Sequence, residues 1–328
     1  MPRISMLAVA AMASIAAHAS QLYTFTTFDG PGDNGGGTTV NGVSNTGAIV
    51  GFSSNANGNV LTNFVRNANG TFTPLNVEGD PLANANGVNA GGTVVGTSGG
   101  QAFFLDHGLF TLLPLVTGSE VGATAFGIND GNTIVGQYTD GNTDTTPGFV
   151  YANGHYTVLN PVLNALATNA QGIDNNGLVT GFYSTDGVHQ HGFFYDTTTG
   201  QYTLPADPVE PGLFLTQFLG INDKGLAVGY WQDAAGNQHG FLYNVNTHVY
   251  TFLDDPNAGT NAGMEITQIT GINDSNEIVG FYVDANGAQR GFYATATATP
   301  EPASMALIGL GLVGLGWRKR RGAGGKQG

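Results

Sequence analysis

The sequence contains no cysteine. That absence removes disulfide staples, thiolate nucleophiles and Cys-based zinc sites together. Basic side chains are also scarce, nine Lys and Arg against 23 Asp and Glu. Arg3 lies at one end, and Arg318, Lys319, Arg320, Arg321 and Lys326 lie at the other. Only Arg66, Lys224 and Arg290 remain to face 22 acidic residues between them, a formal charge of −19. Phosphate binding needs a basic surface, so no nucleic-acid partner is expected. Acidity of this size keeps an exported protein soluble, and among ions it favours calcium. No Walker phosphate loop is present, and neither a hydrolase nucleophile elbow nor a dinucleotide fingerprint is expected.

Glycine is abundant, at 52 residues, but without a period of three, so a collagen-like chain is excluded. Aromatic residues at 10% are too many for a disordered chain. The glycines must therefore serve turns and close approaches in a folded body.

Both ends read as addresses. Arg3 supplies a positive start, Ile4 to Ala17 is mostly apolar, and Ala17-His18-Ala19 is a small-x-small cleavage site. Residues 1–19 are thus read as a signal peptide, cut between Ala19 and Ser20. At the other end Pro300-Glu301-Pro302 precedes an apolar run from Ala303 to Trp317, then Arg318-Lys319-Arg320-Arg321. Fifteen residues make about 22 Å of helix, against about 30 Å of bilayer core. Gly309, Gly311, Gly314 and Gly316 weaken that short transmembrane helix further. The basic cluster acts as a stop that stays cytoplasmic. Tripeptide, Gly/Leu-rich span and basic end, in this order, resemble the PEP-CTERM signal recognised by the membrane protease-transpeptidase exosortase. The resemblance covers about the last 30 residues, assigned here as 297–328. It implies exosortase as partner, transient inner-membrane insertion, cleavage near Pro300-Glu301-Pro302, and a cell-surface or extracellular destination in a bacterium that makes extracellular polysaccharide.

Between the ends one phrase recurs six times. Its copies begin at Gly42, Gly87, Gly127, Gly172, Gly220 and Gly271, with Gly127-Ile128-Asn129-Asp130 and Gly271-Ile272-Asn273-Asp274 the clearest. Five residues after each opening Gly stand Gly47, Gly92, Asn132, Gly177, Gly225 and Asn276. All six are residues that accept left-handed backbone cheaply, so a type I turn followed by a left-handed residue is expected at each. The residues before each opening Gly, such as Thr267 to Thr270, supply a first strand. A second follows the turn, as in Ile278-Val279-Gly280-Phe281-Tyr282. A third opens around Phe64, Phe103, Phe149, Phe193, Phe241 and Phe292. A fourth contains Phe72, Phe110, Tyr156, Tyr202 and Tyr250.

Only five fourth strands follow the six thirds. The missing one stands at the beginning, where Tyr23-Thr24-Phe25-Thr26-Thr27-Phe28-Asp29 matches Tyr250-Thr251-Phe252-Leu253-Asp254. An open stack has no use for this permutation, but a ring has. The expected fold is all-β, a six-bladed β-propeller of four-stranded antiparallel blades over residues 20–296, closed by the N-terminal strand. The phrase, together with His191-Gly192-Phe193 and His239-Gly240-Phe241, also resembles the HAF extracellular repeat. Its first two copies are degenerate, with Val43-Ser44 and Val88-Asn89-Ala90.

Catalytic and metal candidates are weak. His191 and His239 share their repeat position with Thr62, Gln101, Pro147 and Arg290, so an exposed side chain at the start of the third strand is expected rather than a ligand. Asp140-Gly141-Asn142-Thr143-Asp144 has calcium-like spacing but lacks the closing Glu, and reads as a plain turn. Glu265 and Glu277 share a repeat with nothing to place them across a cleft. No catalytic residue, metal ligand or required cofactor is assigned. The expectation is a non-enzymatic surface or biofilm-matrix protein binding polysaccharide or surface proteins. The alternatives are a secreted polysaccharide hydrolase or lyase, which a carboxylate pair at one end of the channel would favour, and a passive coat protein. Six near-equivalent aromatic pockets would favour binding.

Overall fold

The computed structural model describes residues 23–297 apart from 58–60, 78–79, 81, 117–119, 209–214 and 261–262. Those residues form 24 strands and no helix. The chain begins with β1 (Tyr23–Phe28) and then lays down antiparallel sheets in order. The first blade is β2 (Gly35–Val43), β3 (Ile49–Asn55), β4 (Leu61–Arg66) and β5 (Phe72–Pro74). The second is β6 (Asn84–Val88), β7 (Val94–Ser98), β8 (Gln101–Asp106) and β9 (Leu109–Leu112). The third is β10 (Glu120–Ile128), β11 (Ile134–Asp140), β12 (Gly148–Ala152) and β13 (His155–Leu159). The fourth is β14 (Ala167–Ile173), β15 (Leu178–Ser184), β16 (His191–Asp196) and β17 (Gln201–Thr203). The fifth is β18 (Leu215–Ile221), β19 (Leu226–Gln232), β20 (Gln238–Asn244) and β21 (Val249–Phe252). The sixth has β22 (Thr267–Ile272), β23 (Ile278–Val283) and β24 (Gln289–Ala296), and its fourth strand is β1. Tyr23 lies opposite Ala296 and Phe28 opposite Gly291. The chain is a six-bladed β-propeller with four antiparallel strands to a blade.

Every blade is built on the same stack of residues. The second strand carries a glycine, and directly across from it the third strand carries a phenylalanine. The pairs are Gly51 with Phe64, Gly96 with Phe103, Gly136 with Phe149, Gly181 with Phe193, Gly229 with Phe241 and Gly280 with Phe292. All six rings are fully buried, each worth roughly 1.5–3 kcal/mol against exposure. At Gly229 a Cβ would collide with the Gln217 carbonyl oxygen and stand 3.0 Å from the Phe241 ring. The missing side chain is thus the space into which the aromatic ring folds. A second aromatic from the fourth strand closes the stack, at 5.2 Å for Phe25 on Phe292 and 5.3 Å for Phe64 on Phe72. The repeated aromatics are core. They do not form six equivalent ligand pockets.

The opening glycines do something the sequence did not disclose. The first strand does not stop before each one but runs through it and the following residue. One residue ahead of each glycine, at Asn41, Asn86, Phe126, Gln171, Leu219 and Thr270, the strand bulges and leaves that residue out of register. These six residues line the central channel. The glycines behind them touch around the ring. A Cβ on Gly172 would lie 3.0 Å from the Gly220 Cα, one on Gly220 3.0 Å from the Gly271 Cα, and one on Gly271 3.2 Å from the Gly42 Cα. Six blades converge this closely only because no side chain stands between them.

Candidate functional site

The candidate site is the channel mouth formed by the turns between first and second strands. Each turn is built as expected. The residue five after the opening glycine has positive φ in all six copies, from 59° at Asn276 to 86° at Gly177. The third residue of the phrase accepts the backbone N–H four residues on with its side-chain oxygen, as Asn129 does from Thr133 at 2.9 Å and Asn222 from Leu226 at 3.0 Å. Its amide group then donates to the next blade: Asn129 to the Asp174 carbonyl at 3.0 Å, Asn222 to the Asn273 carbonyl at 3.0 Å, and Asn273 to the Ser44 carbonyl at 3.3 Å. One asparagine therefore finishes its own turn and ties two blades.

The fourth residue of the phrase makes a second ring. The backbone N–H of each copy donates to the side chain of the next. Ala90 donates to Asp130 at 2.8 Å, Asp130 to Asn175 at 2.9 Å, Asn175 to Asp223 at 2.7 Å, Asp223 to Asp274 at 2.9 Å, and Asp274 to Asn45 at 2.9 Å. The sixth link would need an acceptor side chain at Ala90, and alanine has none. The Asn45 amide instead reaches past that blade to Asp130 at 3.3 Å. Asp130, Asp223 and Asp274 thus converge on one mouth, with Asn45 and Asn175 between them. Burial, reinforced by the neighbouring Asp223, raises the Asp274 carboxyl above its usual range. Asp174 occupies an Asn position and lacks the donating amide. Burial pushes its carboxyl up, with the Asp223 charge adding to the effect.

At the opposite end, where second strands turn into third, His191 opens β16 and His239 is the second residue of β20. Their side chains are not simply exposed, which corrects the expectation. His191 Nδ1 lies 2.9 Å from Asp207 and its ring packs 5.7 Å from Tyr183. His239 is largely buried, with Nδ1 2.9 Å from Asp254, Nε2 3.5 Å from Asp233, and its ring 4.8 Å from Trp231. Arg290, at the same repeat position, is held by Asp29 at 2.6 Å and Asp284 at 3.4 Å. In the last two blades an aspartate beyond the fourth strand and one in the turn flank the basic side chain, whereas His191 has only Asp207 and the turn aspartate of its blade, Asp186, pairs with His189. These partners lie outside the repeated phrase, and nothing at the histidine position of the sequence points to them.

The remaining candidates stay apart. Asp140 to Asp144 is a turn in which Asp140 Oδ1 accepts the Asn142 N–H at 2.9 Å, and Asp144 has φ of 53°. Glu265 precedes β22 and Glu277 follows it, so they stand at opposite ends of one strand. Among the described residues no three His, Asp or Glu are placed to hold a metal ion. Two spacings also need correcting. Gly96-Thr97-Ser98-Gly99-Gly100 does fit the nucleophile-elbow pattern. It forms a hairpin between two strands rather than a strand-to-helix turn, and the Ser98 hydroxyl donates to Asp80 at 2.9 Å. Gly309-Leu310-Gly311-Leu312-Val313-Gly314 fits the dinucleotide spacing but belongs to the apolar tail. The signal peptide with its Ala19–Ser20 cut, Pro300-Glu301-Pro302 with the apolar run, and Arg318 to Arg321 lie outside the described residues.

No curated protein matches this sequence. Among solved structures, similar chains include TolB from Acinetobacter baumannii, with a TM-score of 0.49 at 10% identity over 76% of this chain. The chain spans only 64% of that TolB. A lectin of Aleuria aurantia, solved with Fucα1-6GlcNAc, gives 0.45 at 11% identity, covering 81% of this chain and 97% of the lectin. The β-propeller domain of the trilobed protease from Pyrococcus furiosus gives 0.46 at 11%, covering 81% and 97%. None of the three bears on what this chain does. The informative match is at the C-terminus: residues 298–321 carry the PEP-CTERM protein-sorting motif, which implies processing by exosortase, export across the membrane, and a surface or extracellular location.

Proposed function

We propose that this is an exported cell-surface or extracellular-matrix protein that acts by binding, with polysaccharide or other surface proteins as ligands. The observation that carries this reading is the sorting motif starting two residues beyond the last strand. Tyr23 and Ala296 are paired, so the chain leaves the propeller at both ends from one edge. A signal peptide over residues 1–19, a propeller over 20–296 made of HAF-type repeats, and a sorting segment over 297–328 fit that exit. The short apolar run holds the protein in the inner membrane until exosortase cuts near Pro300-Glu301-Pro302. Clefts between blades then remain as the binding surfaces.

A polysaccharide hydrolase or lyase is the second reading, because Asp130, Asp223 and Asp274 meet at one mouth of the channel. Against it, one oxygen of each carboxylate already accepts a backbone N–H from the preceding blade. A general acid or base has to exchange protons with substrate, and these groups serve as latches. A glycan array combined with a turnover screen separates the readings. Retention of glycans without product supports binding, and release of shortened or unsaturated sugars overturns it.

A further inference from the structure

Of the three basic residues in the body, two have opposite environments. Arg290 sits between Asp29 and Asp284. Arg66, at the end of β4, has no carboxylate within ion-pair distance and makes no side-chain hydrogen bond among the described residues, although 22 acidic side chains share the body. Its guanidinium is nonetheless fixed. It lies 4.6 Å from the Tyr293 ring centroid and 5.1 Å from that of Phe28, one ring from each of the two strands at the outer edge of the last blade. Ring contact of this kind does not use the N–H donors of the guanidinium. Arg66 lines a cleft of about 300 Å³ between the first and last blades, together with Thr46, Ser275, Glu277 and Tyr293.

We infer that this cleft binds a uronate, a sugar unit bearing a carboxylate, within an otherwise neutral polysaccharide. This rests on the polysaccharide-binding reading above and names its ligand class. A planar carboxylate is the partner that a guanidinium with free donors recognises in two parallel hydrogen bonds. Ser275 and the second carboxylate oxygen of Glu277, whose Oε2 accepts from Asn273 at 3.1 Å, face the hydroxyls of the same sugar ring. The charge of the body restricts the ligand. A densely anionic chain would be repelled by a body of −19, so the uronates must be spaced among neutral units, with the Arg66 field acting within the screening length of about 8 Å at physiological salt. A second interblade cleft with an aromatic wall, lined by Phe104, Asp106 and Tyr151, has no Lys or Arg among its lining residues and would not share this preference.

The test is titration calorimetry on the full chain in mild detergent. The probes are an aldobiouronic acid (glucuronate linked to a neutral sugar) and the same disaccharide with its carboxyl reduced to an alcohol. The acid should bind roughly tenfold or more tighter than the alcohol, the scale of hydrogen bonds to a charged group. Arg66→Gln should abolish that difference, and Arg66→Lys should keep only part of it. Because Arg66 also packs on two rings, thermal melts must show both variants folded. In the unaltered protein, ¹⁵N-arginine spectra should show the Arg66 Nε–H shifting with the acid and not with the alcohol, which keeps the test independent of any variant. Equal binding of acid and alcohol overturns this proposal and leaves the polysaccharide reading standing. So does acetate competing as well as the disaccharide acid, which would make the cleft a general oxyanion site. If neither disaccharide binds and the glycan array is also blank, both readings fall.

Discussion

The two ends of the propeller carry their polar residues differently. At the mouth where first strands turn into second, the six copies hold Asn45, Ala90, Asp130, Asn175, Asp223 and Asp274, and five of them present a side-chain oxygen to a neighbouring blade. At the far end the equivalent positions hold Thr62, Gln101, Pro147, His191, His239 and Arg290. There the side chains at this one position pair within their blade and its outer edge, as in His239 with Asp233 and Asp254, and it is their neighbours Gln190, Gln238 and Gln289 that reach the next blade. A residue that ties two blades is constrained by the repeat on either side. A residue satisfied locally can change with its partner. The position that varies is therefore where blades differ in charge, while the uniform position is architecture.

Five substitutions would break or sharpen that contrast. The largest effect belongs to the frame common to both ends. Gly229→Val would force a branched side chain into the Gln217 carbonyl and beneath the Phe241 ring. We expect a loss of about 3–5 kcal/mol, or no soluble protein, read by urea unfolding. Unchanged stability would mean that ring and glycine are not interlocked.

Breaking one latch should cost less. Asp274→Ala leaves the Asp223 N–H without its acceptor and should lose about 1–2 kcal/mol. Gln101→Ala, at an exposed position of the far end, should stay within about 0.5 kcal/mol. Equal costs for the two would erase the distinction between the ends.

Repairing a latch should stabilise. Asp174→Asn restores the amide that its neighbours at Asn129 and Asn222 use to reach the next blade, and removes a carboxyl whose ionisation burial opposes. A gain of about 0.5–1.5 kcal/mol at pH 7 is expected. The gain should shrink in acid, because a raised carboxyl withdraws stability as pH rises through its folded value and not below its unfolded one.

A small effect that depends on pH is expected at the variable end. Burial pulls the His239 imidazole down, but hydrogen bonds and charge from Asp254 and Asp233 outweigh it and leave it raised overall. Its contribution is complete below the ordinary histidine value and is lost as pH rises through the folded value. Melting temperatures compared at pH 5.5 and pH 8 should show this slope, and His239→Gln should flatten it by an amount within about 1 kcal/mol. Arg290 holds the same position with a permanent charge and should show no such slope.

Much of the frame was legible because its signals are local. The left-handed residues at Asn132 and Asn276 follow from turn chemistry within five residues, and β1 was found because Tyr23 to Asp29 repeats Tyr250 to Asp254. What escaped reading depends on contacts a blade or more away. Asp130 and Ala90 are 40 residues apart, and nothing near either says that one accepts from the other. The close approach of Gly172, Gly220 and Gly271 was hidden for the same reason, although the invariance of glycine there was visible. Arg66 was noticed only as a charge. Its meaning lies in Phe28 and Tyr293, which the folding of the ring brings beside it from both ends of the sequence.

The central claim, that this propeller is held in the inner membrane by its tail and cut from it on the way to the surface, is tested most directly by the mass of the mature protein. Surface protein from an exosortase-containing host should begin at Ser20 and end near Pro300-Glu301-Pro302, without the apolar run or Arg318 to Arg321. Replacing Pro300, Glu301 and Pro302 by alanine should leave the propeller folded and the uncut protein in the inner membrane. A surface form that retains its C-terminus through Arg321 would contradict the account and make the tail an ordinary anchor.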